Sequence, residues 1–311
     1  MFNTPILFII FNRPEATKKV FESIRIIKPF KLYIAADGPR LGNLNDKEKC
    51  VQAREIVGQV DWKCEVKKLY RNENLGCFKA VSGALNWFFQ EEEMGIILED
   101  DCLPNTDFYF FCQQMLDRFK DEDKIISISG SNLGHNLNNG NSYTFSKFMN
   151  MWGWATWRRA AISIDYNLEN WQRKKFKIFF LYSKLKNFFF DFDIKWYQYW
   201  KHKFDYIVYN EKITWDWQWT FHQLENRQLS IVPAVNLVTN IGFNADATHT
   251  YEQSNPASNI PSKDLKFPLV HPTTIRFNLD YEEKFVKWVW CYHKRMSILK
   301  YLITRIKSLV K

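Results

Sequence analysis

The sequence predicts an α/β fold built on a mixed, mostly parallel sheet with helices on both faces. Three observations predict it. Short aliphatic segments alternate with segments of helical spacing over about the first 130 residues. Those aliphatic segments are apolar at consecutive positions, as strands buried on both faces are. Several of them stop at polar residues or turn signals, which places a polar rim along one edge of the sheet.

Each element follows in order. PILFIIF at 5–11 is a first strand, ended by Asn12-Arg13-Pro14, and residues 15–27 carry helical spacing. KLYIAA at 31–36 is a second strand, closed by the Asp37-Gly38-Pro39 turn, and a polar helix spans 46–58. CEVKKLY at 64–70 is a third strand, which leads through RNENLG into a helix over 78–92. Residues 95–99 form the fourth strand; a helix over 106–119 and a strand at 124–129 complete the alternation. Residues 131–146, rich in Gly, Asn and Ser, read as a loop. MNMWGWATWRR at 149–159 is aromatic, residues 171–204 are aromatic and basic, and LSIVPAVNLVT at 229–239 reads as a strand returning to the sheet.

The 311 residues suffice for one large domain or two small ones, and an apolar share of 46% supplies a substantial core. The N-terminus lacks the basic start of a signal peptide, and no apolar run approaches the length of a membrane span. Six cysteines at 50, 64, 77, 102, 112 and 291 show no CxxC pairing, so free thiols in a cytosolic protein are expected. Net charge is +9, but Lys284–Lys311 holds eight Lys/Arg and no acid. The remainder carries 35 basic and 34 acidic residues, which argues against nucleic acid as a partner over the whole surface.

The most informative stretch is GIILEDD at 95–101. Ile96, Ile97 and Leu98 form a buried strand, and Glu99, Asp100 and Asp101 crowd at its end. Adjacent carboxylates beside a core repel each other unless a cation sits among them. Oxygen ligands suit Mg2+ or Mn2+, which complete their shells with substrate phosphates. An acidic turn with a helix cap is the plainer alternative. No Gly-x-Gly-x-x-Gly follows the first strand and no Walker-type Gly-Lys-Ser/Thr occurs, so a dinucleotide or P-loop site is disfavoured. Asp37 is placed to accept hydrogen bonds from a base or ribose, or to begin its turn, or both.

Asp216 lies between Trp215 and Trp217, either as a general base in an aromatic setting or as a helix cap among core tryptophans. Trp152, Trp154 and Trp157 suit sugar stacking and core packing equally. Phe285, Val289, Tyr292, Met296, Leu299, Ile303, Ile306 and Val310 form one stripe on a basic helix. That helix fits an anionic membrane surface, a helix packed on the body, or a coiled coil that makes a homodimer.

Taken together, PILFIIFNRPE, LYIAADGP, RNENLGCFKAV and IILEDDCLP resemble the GT-A glycosyltransferases, the family-2-like and N-acetylglucosaminyltransferase I-like enzymes in particular. The resemblance extends through WGWATW, TWDWQW and NIGFNADATH and covers about three quarters of the chain. It implies a nucleotide-sugar-binding half at 1–130, an acceptor-binding half of the same domain at 131–283, and a basic amphipathic C-terminal helix at 284–311. It also implies that Asp101 holds Mn2+ or Mg2+ against the donor diphosphate, with Glu99 and Asp100 on ribose or metal-bound water. Asp37 then matches the residue that reads uracil, Asn12 or Arg13 lies beside the nucleoside, and Lys79 falls near the donor. His249, with Asp246, matches a late metal or diphosphate ligand. Asp216 is the candidate base of an inverting transfer, ahead of Glu211 and Glu225. The implied partners are a nucleotide-sugar, with UDP favoured, and a glycan or lipid-linked acceptor, at a cytoplasmic site peripheral to the inner membrane. A sugar-phosphate nucleotidyltransferase and a non-catalytic membrane-associated scaffold are the alternatives.

Overall fold

The computed structural model describes residues 2–137, 140–174, 194–210, 214–243 and 259–294. Eight strands form one sheet in the order β3-β2-β1-β4-β8-β6-β9-β7. The first half supplies β1 (Ile6–Ile10), β2 (Lys31–Ala36), β3 (Glu65–Tyr70), β4 (Met94–Glu99) and β6 (Ile125–Ser129). Strands β7 (Tyr143–Ser146), β8 (Trp154–Trp157) and β9 (Leu229–Pro233) come from the second half. Two strands run against the rest. β8 is antiparallel to both β4 and β6, and β7 is antiparallel to β9. The expected mixed, mostly parallel sheet is therefore present. A separate two-stranded ladder joins β5 (Cys102–Pro104) to β10 (Val238–Asn240).

Side-chain alternation on these buried strands explains why helices cover both faces. Ile6, Phe8 and Ile10 of β1, with Leu32, Ile34 and Ala36 of β2, enter one core. Helices α1 (Pro14–Ile27), α2 (Leu44–Val57) and α4 (Thr106–Arg118) close that core with Phe21, Val57 and Phe111 among others. Leu7, Ile9, Tyr33 and Ala35 point the other way. They meet Val81, Leu85 and Phe88 of α3 (Gly76–Glu91) and the tryptophans Trp154, Trp215 and Trp219. Burying each such side chain is worth about 1.5–3 kcal/mol.

Three expectations change. The loop at 131–146 ends in a real strand, β7, whose four residues are all buried. The segment at 229–239 divides into β9 and β10, which join different sheets. Trp154 and Trp157 are 1% and 3% exposed, so they are core residues, and Trp152 alone of the three is partly exposed. Short helices α5 (Arg158–Ala161) and α6 (Glu169–Lys174) follow β8. The longer α7 (Ile194–Tyr209) then precedes α8 (Asp216–Asn226).

The C-terminal helix α9 (Leu279–Lys294) begins five positions before the expected 284. Its first turns pack on the body: Tyr281 and Phe285 are buried, and the Phe285 ring stacks on Phe148 at 4.6 Å. The rest of the apolar stripe, from Met296 onward, lies outside the described residues. Among the described residues no helix is long and apolar enough to cross a membrane.

Candidate active site at the carboxyl ends of the parallel strands

Because β2, β1 and β4 are adjacent and parallel, their carboxyl ends deliver Asp37, Asn12-Arg13 and Glu99-Asp100-Asp101 to one edge. Arg13 is the hub. Its Nη1 donates to Asp101 Oδ2 at 2.6 Å and to Asp100 Oδ1 at 3.2 Å. The Phe11 amide donates to Asp100 Oδ2 at 3.0 Å, which ties the end of β1 to the acidic turn. Burial opposes the Arg13 charge, but Asp100 and Asp101 outweigh it and hold the guanidinium above its ordinary value.

One guanidinium does not balance three carboxylates. Burial, followed by the charges of Asp101 and Asp100, pushes Glu99 well above the usual carboxylate range. Burial likewise raises Asp100, against the pull of Arg13. The Cys102 thiol donates to the other carboxylate oxygen, Asp101 Oδ1, at 3.5 Å. The donor set is hard oxygen with surplus negative charge, which fits a divalent cation that keeps most of its shell for water or phosphate. Among the described residues there is no cluster of three or more His, Cys, Asp or Glu arranged to hold a metal by itself. Gly242 backs the site. A Cβ there would lie 2.3 Å from Asp101 Oδ2, so only glycine lets this segment pass so closely.

Asp37 is buried and already engaged with the start of α3. It accepts from the Leu75 amide at 3.0 Å, from the Gly76 amide at 3.2 Å and from Asn74 Nδ2 at 3.0 Å. It thus satisfies first-turn amides that the helix itself cannot. Burial raises its pKa, and these backbone donors and Arg71 oppose the rise. Gly38 permits the crossing of the two loops, since a Cβ would fall 2.4 Å from the Glu73 backbone. Asn12 donates to Asp46 Oδ1 at 2.7 Å and so fastens α2 rather than joining the acidic cluster. Lys79 is exposed on the first turn of α3.

Asp216 opens α8, about 115 residues after the acidic turn in sequence, yet its charge acts on Glu99 and on Cys77. The fold therefore gathers Arg13, Glu99, Asp100, Asp101 and Asp216 within electrostatic range. Thr214 Oγ1 donates to Asp216 Oδ1 and orients the carboxylate. Behind it, Trp215 stacks on Trp154 at 5.8 Å and Trp219 donates to the Tyr166 hydroxyl at 3.1 Å, so the start of α8 sits on a rigid base. Glu225 stands elsewhere. It lines a polar cavity of about 270 Å³ with Asp165 and His222. Glu211, Asp246 and His249 lie outside the described residues.

Sequence reading missed Lys203, Cys77 and Thr214. Lys203 Nζ lies 3.8 Å over the Trp217 ring and 5.2 Å over Tyr199, one turn earlier on α7. The Tyr-to-Lys spacing of four was a signal for that contact. Cys77 stands on the first turn of α3, and burial, followed by the charges of Glu99, Asp216 and Asp101, pushes its thiol up, which disfavours the thiolate.

The fold and site thus define an α/β protein with an acid-rich, arginine-bridged centre at the carboxyl edge of its parallel strands. No family model matches the chain, and no curated protein matches it by sequence. Among solved structures, mouse xyloside xylosyltransferase 1 aligns over 73% of this chain and 83% of its own, at 12% identity and a TM-score of 0.38. HddC from Yersinia pseudotuberculosis, complexed with GMP-PN, aligns over 50% and 77%, at 9% identity and a TM-score of 0.31. UDP-glucose pyrophosphorylase complexed with UDP-glucose aligns over 52% and 71%, at 10% identity and a TM-score of 0.28. Likenesses this distant assign neither a family nor an activity, so only the side chains of the site bear on its chemistry.

Proposed function

We propose that this chain is a nucleotide-sugar-dependent glycosyltransferase that moves a sugar from a UDP-sugar to a hydroxyl of a glycan or glycolipid with inversion. The observation that carries the reading is that the Arg13-bridged acids Asp100 and Asp101 and the start of α8 at Asp216 all act electrostatically on Glu99. Asp101 would hold Mn2+ or Mg2+, and the cation would offset the charge that builds on the departing diphosphate. Arg13 is close enough to Asp101 to share that task, since its guanidinium suits phosphate oxygens as well as carboxylates.

Asp216 serves as the base. Its carboxylate takes the proton from the acceptor hydroxyl while that oxygen bonds to the anomeric carbon. The bond from the anomeric carbon to the diphosphate oxygen breaks, and its electron pair leaves with the nucleoside diphosphate. Thr214 holds one carboxylate oxygen, which leaves the other for the acceptor. Glu99 and Asp100 shape the floor beneath ribose and metal-bound water. Asp37 acts on the donor indirectly, by anchoring the loop that ends in Leu75 and Gly76.

A thermal-shift panel of nucleotide-sugars, with Mn2+ and then with EDTA, tests this. Stabilisation by a UDP-sugar only in the presence of metal, lost in Asp101→Ala, is expected. Unchanged stabilisation in that variant would remove Asp101 as the ligand. Stabilisation by nucleoside triphosphates alone, with pyrophosphate released from them, would instead mark a nucleotidyltransferase.

A further inference from the structure

Lys203 is a half-buried ammonium within electrostatic range of Asp216, set against Trp217, the next residue on α8. Its Nζ rests over Trp217 and Tyr199, at 3.8 and 5.2 Å from the ring centroids. Among the described residues, Asp216 is the carboxylate whose charge acts on it, whereas Glu99 also senses Asp100 and Asp101. The approach stops short of contact: among the described residues Lys203 makes no ion pair, although Lys201, two positions earlier, pairs with Asp205. Burial pulls the Lys203 ammonium down to about 8, against the pull of Asp216. A half-buried cation held mainly against ring faces is only partly compensated for its lost hydration. Its surroundings in sequence are also cationic, with nine Lys/Arg and two Asp from Arg173 to Lys203.

Resting on the transferase reading above, we propose that Lys203, in its cradle of Trp217 and Tyr199, receives an anionic group of the acceptor, so that the acceptor is a sugar bearing a phosphate or a carboxylate. The two rings hold the ammonium in place, and the ammonium supplies the charge that selects the anionic group. Asp216, whose charge acts on both Glu99 and Lys203, then meets the acceptor hydroxyl. Phosphate and carboxylate make the same demand on the ammonium, and the probes separate them.

The test is calorimetric titration of glucose 6-phosphate, glucuronate and glucose into the wild-type protein, Lys203→Met and Lys203→Arg, with UDP and Mn2+ titrated separately. At least one of the two anionic sugars is expected to bind the wild type tenfold or more tightly than glucose. Lys203→Met should lose that preference, Lys203→Arg should keep most of it, and UDP should bind all three proteins alike. Preference for glucose 6-phosphate marks a phosphate-bearing acceptor, and preference for glucuronate an acidic sugar. Equal binding of charged and neutral sugars by the wild type, or a preference retained in Lys203→Met, overturns the proposal. Failure of the transferase reading appears differently, as no UDP binding by any of the three proteins.

Discussion

Arg13 Nη1 donates 2.6 Å to Asp101 Oδ2, so the carboxylate proposed to take a metal ion already carries a cation supplied by the turn after β1. The same nitrogen reaches Asp100, and both partners are largely withdrawn from water, with side-chain exposures of 14% for Arg13 and 18% for Asp101. A buried bridge of this kind adds little to stability while intact, but losing one partner leaves an uncompensated charge.

Arg13→Met therefore should destabilise the metal-free protein by about 3–5 kcal/mol. Millimolar Mn2+ should then raise the melting temperature of the variant more than that of the wild type, because a divalent ion replaces the missing positive charge. Thermal unfolding with Mn2+ and with EDTA checks both parts, and equal gains in the two proteins would separate Arg13 from the metal site.

Asp37→Asn tests the anchoring of α3. The amide keeps one acceptor oxygen and turns an NH2 group toward the donors Leu75, Gly76 and Asn74. A cost of about 1–3 kcal/mol is expected, with faster hydrogen exchange at the Leu75 and Gly76 amides. Unchanged exchange there would show that the helix start holds without Asp37.

Asp216→Asn should leave UDP binding within about twofold and lower sugar transfer by a factor of roughly 10² or more. Thr214→Ala should have a smaller effect in the same direction, since it removes only the hydroxyl that orients the acid. Transfer that persists in Asp216→Asn would place the base elsewhere.

Glu282 gives a pH dependence far from the acidic turn. It is 1% exposed, accepts from the Lys147 amide at 2.9 Å, and its other oxygen is buried without a hydrogen bond. Burial raises its pKa from 4.5 to about 7. The folded state thus holds the proton more tightly than the unfolded chain. The contribution is fully present below about pH 4.5 and is lost as pH rises through about 7. Glu282→Gln should flatten that slope and gain up to roughly 3 kcal/mol relative to the wild type between pH 4.5 and 7.5. Parallel stability curves for the two proteins would contradict the shift.

The first half of the molecule was legible because its signals are local. An aliphatic run followed by acids, as at 94–101, states both a buried strand and where its polar end must lie, and parallel pairing then lines such ends up. The second half was less so. β7 hid in a stretch rich in Gly, Asn and Ser because its strand character comes from burial between β9 and the α9 connection, not from composition. WATW reads equally as a sugar platform or a core strand until its neighbours β4 and β6 are known.

Sequence alone determined the α/β class, the order of the five first-half strands β1, β2, β3, β4 and β6, and the crowding of Glu99, Asp100 and Asp101 at a strand end, since each follows from periodicity and residue type within a short window. Only the tertiary structure decided that Arg13 pairs with Asp101, that Asp37 is spent on the α3 amides, and that Lys203 lies within electrostatic range of Asp216. Those facts depend on which strand ends and helix turns meet in space. Charge, hydrogen bonding and desolvation act over a few ångströms, and a linear sequence does not record those distances.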